Sequence, residues 1–288
     1  MKKNLITLIG FYICILCFSG YCDETNNDVA EYMEHSSINW SRHYILAIGV
    51  GYPSKKNPVA TDIGSQETIK TATYHAKQAL LDTAQYIKID AFTRVKDLAA
   101  GNNDIMTGIT RMIGNAKITE KKYMSDGAVE VIMRLELYGG FAQLVLPDSI
   151  QQVETIQQAV PVKKYLYQTY DIKTKKKYTG LIVDAKGITV KPAMVVRIMD
   201  EQGIEVYGSA FVSREYVVQD GMCQYIKSYD KALKNPKVAD LPLTVKGLRT
   251  EGNTQTDIFI SNADAARVRS APEHIIFLRK CRVIIVVD

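Results

Sequence analysis

Between Gln66 and about Ile87 the residues Ile69, Ala72, Ala76, Ala79, Leu80 and Thr83 fall three or four apart. That spacing is the period of a helix with one buried face. No other feature of the chain restricts its fold so much. A buried stripe made largely of alanine lets the helix backbone come close to a sheet, so large side chains at Ala72, Ala76 or Ala79 are expected to overpack the contact. Ser65 is the expected N-cap of this helix.

The residues around the helix supply the sheet it needs. His43 to Gly51 is a strand-like run stopped by Pro53. Ile105, Ile109 and Ile113, spaced by four, predict a shorter helix over Asp104 to Ile113 with Gly114 as its stop. Lys117 to Tyr123 and Val129 to Leu137 then flank Ser125-Asp126-Gly127, where glycine supplies the positive φ of a tight hairpin. Strand, long helix, short helix and hairpin describe helices on one side of a small antiparallel sheet.

Residues 148–178 are rich in Gln and Lys and read as a connector. Beyond it Tyr178 to Val183, Thr189 to Ile198, Glu205 to Tyr207 and Thr256 to Ile260 are expected strands. Ser261 offers an N-cap, and Asp264 an early acid, to a helix running to about Ser270. Cys281 to Val287 is a nearly continuous β-branched run, the pattern of a strand buried on both faces. The fold expected is α+β: a small antiparallel sheet with a long Ala-rich helix, then a second α+β domain.

At the N-terminus Lys2 and Lys3 precede an apolar stretch from Leu5 to Phe18 that ends in Ser19 and Gly20, the layout of a signal peptide. A membrane-crossing helix needs about 20 apolar residues, more than this stretch offers. The expected organisation is a signal peptide over 1–22, a polar linker over 23–39, a first domain over 40–147, the connector over 148–178 and a second domain over 179–288. Cys22 is a candidate lipidation site, although Ser19-Gly20-Tyr21 places no small residue immediately before it. Without the signal only Cys223 and Cys281 remain, as a candidate disulfide or as two buried free thiols.

Charge and motif content narrow the chemistry. Removing the two signal lysines takes the formal net charge from +5 to +3, too near balance to argue for nucleic acid, whose binders concentrate cations on one face. His35, His43, His75 and His274 are scattered without metal-ligand spacing. Gly208-Ser209 lacks the second glycine of a nucleophile elbow. Gly49 and Gly51 follow a strand, but Pro53 and a missing third glycine break the dinucleotide fingerprint, so they read as positions where bulky side chains would clash. Asp184 and Asp200 each follow an apolar run and would be the first pair to test for hydrolysis. Their contexts, Asp184-Ala-Lys-Gly187 and Asp200-Glu-Gln-Gly203, are those of Asp-capped turns. Asp126 and Glu130 flank the hairpin turn and are expected to face solvent. No catalytic residue, metal or cofactor is expected. Tyrosines group at Tyr165, Tyr167, Tyr170 and Tyr178, and again at Tyr207, Tyr216, Tyr225 and Tyr229. Aromatics with polar tips anchor protein contacts, which makes Tyr165, Tyr167 and Tyr170 candidate partner contacts.

Ala76-x-x-Ala79-x-x-Asp82-x-Ala84 on the long helix, Gly114-x-Ala116, and Tyr123-x-x-Asp126-Gly127-x-x-Glu130-Val131 across the hairpin together resemble the LPP-twenty lipoprotein family. The same pattern is similar to the N-terminal domain of a periplasmic flagellar assembly protein. The resemblance covers about residues 40–140. It implies an α+β fold, an exported location in the periplasm or at the outer membrane, and a non-enzymatic structural or assembly role. The expected partners are other envelope proteins or further copies of the chain, with membrane association through the N-terminus. A periplasmic ligand- or glycan-binding module is the alternative, its pocket expected in the second domain.

Overall fold

The computed structural model describes residues 28–53, 66–151 and 177–288. Cys22, Ser65, Tyr165, Tyr167 and Tyr170 lie outside the described residues. The chain builds two sheets. The first is antiparallel with five strands in the order β1-β2-β3-β5-β4: Ala30–Tyr32, Ser36–Asn39, Tyr44–Gly51, Val129–Glu136 and Lys117–Tyr123. Its spine is the eight-residue pairing of β3 with β5, from Tyr44 opposite Glu136 to Gly51 opposite Val129.

Helix α1 (Gln66–Tyr86) lies across β3 and β5 and buries Thr68, Ala72, Ala76, Leu80, Thr83 and Ala84. The approach is as close as the alanine stripe predicts. A Cβ on Gly49 would sit 2.0 Å from the Ala72 carbonyl oxygen, and one on Gly51 would sit 2.1 Å from that of Thr68. Glycine is required at both positions by helix–sheet contact, the clash expected from the sequence. Helix α3 (Asn103–Gly114) buries Ile105, Ile109 and Ile113 as their spacing predicts. Helix α2 (Val95–Gly101) precedes it and buries Val95.

Two expectations for this half are corrected. The polar stretch 23–39 is no tether along its described part, because β1 and β2 lie there and β2 is buried throughout. Its polar side chains are satisfied inside. Ser36 Oγ lies 2.6 Å from Thr83 Oγ1 on α1, and Asn39 Nδ2 donates to Asp28 Oδ2 at 2.9 Å. Glu130 is buried, with Lys122 Nζ 3.3 Å from its carboxylate, while Asp126 caps the hairpin turn by accepting from the Ala128 amide.

The second sheet has seven strands in the order β8-β7-β11-β10-β6-β12-β9: Glu205–Tyr207, Ile198–Met199, Ile258–Ile260, Pro242–Thr250, Gly180–Asp184, Val283–Val286 and Gln224–Ile226. The strands β10, β6, β12 and β9 run parallel to one another. Strand β12 lies between β6 and β9 and is wholly buried, the position its β-branched run demands. Ser261 Oγ accepts from the Asp264 amide at 3.0 Å and caps α7 (Asn262–Arg269), as predicted.

The expected strand Thr189 to Ile198 pairs only at Ile198–Met199. Its backbone is committed elsewhere. The Met194 and Val195 amides donate to the carbonyls of Lys88 and Ile89, at 3.0 and 2.7 Å, tying the second half to the first. One hydrophobic core runs through both sheets. The described ends of the connector share in it: Ile150 is buried, and Gln151 accepts from the Arg214 amide. No described helix is long and apolar enough to cross a membrane.

Candidate functional site

The turn Trp40–His43 between β2 and β3 projects into the second half and forms one wall of a cleft. Trp40 is buried edge-on to Tyr225, with ring centroids 6.4 Å apart at 73°, and its Nε1 donates to Glu31. Ser41 Oγ donates to the Tyr225 carbonyl at 2.6 Å, and Gln224 Nε2 donates back to the Ser41 carbonyl at 3.0 Å. These bonds replace water on both surfaces and hold the turn against β9.

His43 is the centre of this joint. Its Nε2 lies 3.1 Å from the Cys223 carbonyl, which can only accept, so Nε2 carries the proton. Nδ1 then accepts from the Tyr138 hydroxyl at 2.5 Å, and the two rings stack with centroids 4.3 Å apart. Burial, reinforced by the nearby Lys237 charge, lowers the His43 pKa to about 3, so the imidazole is neutral at physiological pH. The same burial pushes the Tyr138 hydroxyl up. His43 also has φ 55, a left-handed backbone that a residue with a side chain adopts at about 1–2 kcal/mol. The strain is held in place by contacts from both halves.

Opposite this wall, helix α5 (Arg214–Asp220) ends at Gly221, whose φ of 69 suits glycine and whose missing Cβ leaves room for Tyr138. Lys237, in the loop before β10, donates from Nζ to the Asp220 and Gly221 carbonyls at 2.9 and 3.4 Å. It thereby caps the helix C-terminus with a cation. Burial lowers its pKa, partly offset by the two cysteines and Asp220. Another part of the cleft lining comes from Lys280 and Arg282, at the junction between α8 (Pro272–Arg279) and β12, on either side of Cys281 with φ 55.

The opening so formed has a volume of about 690 Å³ and contains the cations Arg42, Lys237, Lys280 and Arg282 against one carboxylate, Asp220. Arg42 Nε is engaged with Asp28 at 2.9 Å. Sequence reasoning missed this site because its residues come from separate segments, none carrying a local motif. The nearest signals were His43, read as a scattered histidine, and Tyr216, read within a tyrosine group. Both line the cleft.

The other singled-out residues are dispersed. Asp184 accepts from the Lys186 amide and pairs with Lys246 at 3.0 Å. Asp200 accepts from the Gln202 and Ile204 amides and from Arg269. Burial opposes its ionisation, but these donors outweigh it and hold the carboxyl below its usual range. Strands β10 and β11 separate the strands that carry the two acids, about 14 Å at normal strand spacing. The structure therefore does not bring Asp184 and Asp200 together as a pair; each caps its own turn. Cys223 and Cys281 are both buried free thiols. Tyr207 and Tyr225 are core residues whose hydroxyls donate to the Met222 and Ala193 carbonyls. His75 and His274 bond backbone carbonyls, and the Nε2 of buried His274 has no partner among the described residues.

Residues 180–288 match the family described as Treponema pallidum Tp0624, second domain. The match spans the whole second sheet and stops short of the segment carrying the lipoprotein resemblance. No curated protein matches the chain.

Proposed function

We propose that the chain is a non-enzymatic component of a cell envelope, an assembly element that recognises its partner through the cleft between its two sheets. The observation that carries this reading is the convergence of Arg42, Lys237, Lys280 and Arg282 on one opening, at a joint fixed by hydrogen bonds from both halves. The wall of the cleft is fixed by those bonds, and a preformed wall loses little freedom on binding, which favours recognition. The basic, apolar N-terminal segment and the likeness of residues 40–140 to the LPP-twenty lipoproteins and a periplasmic flagellar assembly domain support an exported, envelope location.

A second reading, a periplasmic ligand- or glycan-binding module, is favoured by the cleft volume, which falls inside the range of about 300–1,000 Å³ typical of small-molecule sites. Cross-linking and recovery of the tagged full chain from intact envelopes separates the two. The assembly reading expects a large complex for the parent protein and its loss in the Lys280→Gln, Arg282→Gln double variant. Recovery of the parent as a lone monomer would sink it.

A further inference from the structure

Three features of the cleft point to the charge of what it takes. The first is imbalance, because four cations line the opening and Asp220 is the sole acid among the lining residues. His43 does not add to the positive charge or neutralise an anion, being neutral, with both ring nitrogens committed to Tyr138 and Cys223. The second is the state of Lys237. Its ammonium is held by two backbone carbonyls and, among the described residues, by no carboxylate within ion-pair distance. Two of its three N–H donors are accounted for, and burial penalises its charge. An anion beside it would relieve that penalty.

The third feature is the pair Lys280 and Arg282. Neither forms an ion pair among the described residues, and both line this cleft and an adjoining hollow of about 210 Å³ that contains Tyr178, Phe277 and one carboxylate, Glu273, which pairs with Lys177 at 3.7 Å. They stand on a ridge between the two spaces. The left-handed turn at Cys281 fixes the chain there, and a guanidinium beside an ammonium suits two separate anionic groups, one gripped by a planar fork and one by a point charge.

We infer that the cleft binds a small polyanion carrying at least two phosphate or carboxylate groups, held by Lys237, Lys280 and Arg282. This rests on the second reading above, the cleft as a ligand-binding site, and adds the chemical class of the ligand. The ridge places one anionic group within reach of the fork of Arg282 and leaves Lys237 for the second, deeper group.

The test is calorimetric titration of the full chain, at about 150 mM salt, with pyrophosphate and with citrate as separate probes, and with the neutral disaccharide chitobiose as control. Saturable binding of pyrophosphate, citrate or both, without chitobiose binding, is the expected result; which probe wins distinguishes a phosphate source from a carboxylate source. Arg282→Gln and Lys280→Gln should each weaken binding at least tenfold, and Arg282→Lys less than Arg282→Gln. Lys246→Gln, paired with Asp184 away from the cleft, should leave it unchanged. Circular dichroism and thermal melting confirm that each variant is folded, and the Arg282→Lys comparison separates lost charge from lost fold. Absence of binding by both anions, equal binding of chitobiose, or indifference to both cleft substitutions overturns the inference. If the anions fail while recovery of the envelope complex still depends on Lys280 and Arg282, this inference falls and the proposed function stands. If the anions bind but the protein is recovered alone, the opposite holds.

Discussion

The two sheets solve the problem of burying a hydrophobic face in different ways. In the first, one long helix covers β3 and β5, and closeness is achieved by removing side chains: alanine on the helix and glycine on the strand. In the second, a parallel core of four strands is buried by its own β-branched side chains, with short helices and loops around it. A backbone-to-backbone contact has no side chain that can rotate away, whereas a side-chain interior can repack. The first sheet should therefore be brittle at a few points and the second tolerant at many.

The substitution that tests this contrast most severely is Gly49→Val. Its Cβ would meet the backbone of Ala72 and Ala76, so the helix must lift, and the loss should be at least about 3 kcal/mol. Urea unfolding followed by the fluorescence of Trp40, the only tryptophan, measures it. Because one core runs through both sheets, the fluorescence and far-ultraviolet dichroism transitions should shift together; separate transitions would break the picture of a joined molecule.

An effect that is small in each pH step comes from the joint. Above pH about 6.5 His43 is neutral whether folded or unfolded, so its titration adds no pH dependence there. Between about 6.5 and about 3 the unfolded chain takes up a proton that the folded protein refuses, so stability falls as pH falls. The slope from this residue approaches about 1.4 kcal/mol per pH unit. Unfolding curves at a series of pH values should be steeper in the parent than in His43→Asn by about that slope, whatever the variant loses at neutral pH. The smallest effect belongs to the second sheet's surface. Lys246→Ala removes a half-exposed ion pair with Asp184 and should change stability by less than about 1 kcal/mol in the same assay.

The contrast also explains what the sequence revealed. Helix α1, the Asp126-Gly127 turn, the glycines of β3 and the cap at Ser261 could be read because each is a local pattern with a local cause. The strand at 283–286 could be read because a run of Val and Ile suits few other places. Strands β1 and β2 could not be, because Ser36, Ser37 and Asn39 look like linker residues until Thr83 and Asp28 supply their partners. The extended stretch before Ile198 read as a strand, yet its amides serve Lys88 and Ile89 across the joint. The parallel order of the second sheet and the cleft share one cause of invisibility, since both assemble residues that lie far apart in the chain.

Cys223 and Cys281 lie beside this joint, and burial pushes both thiols up to about 12. A sulfur that holds its proton so tightly is a poor nucleophile and a poor target for oxidants. Any alkylating reagent must wait until the interior is exposed, so the labelling rate counts excursions of the folded molecule. The two sulfurs are a built-in clock for how often the halves part.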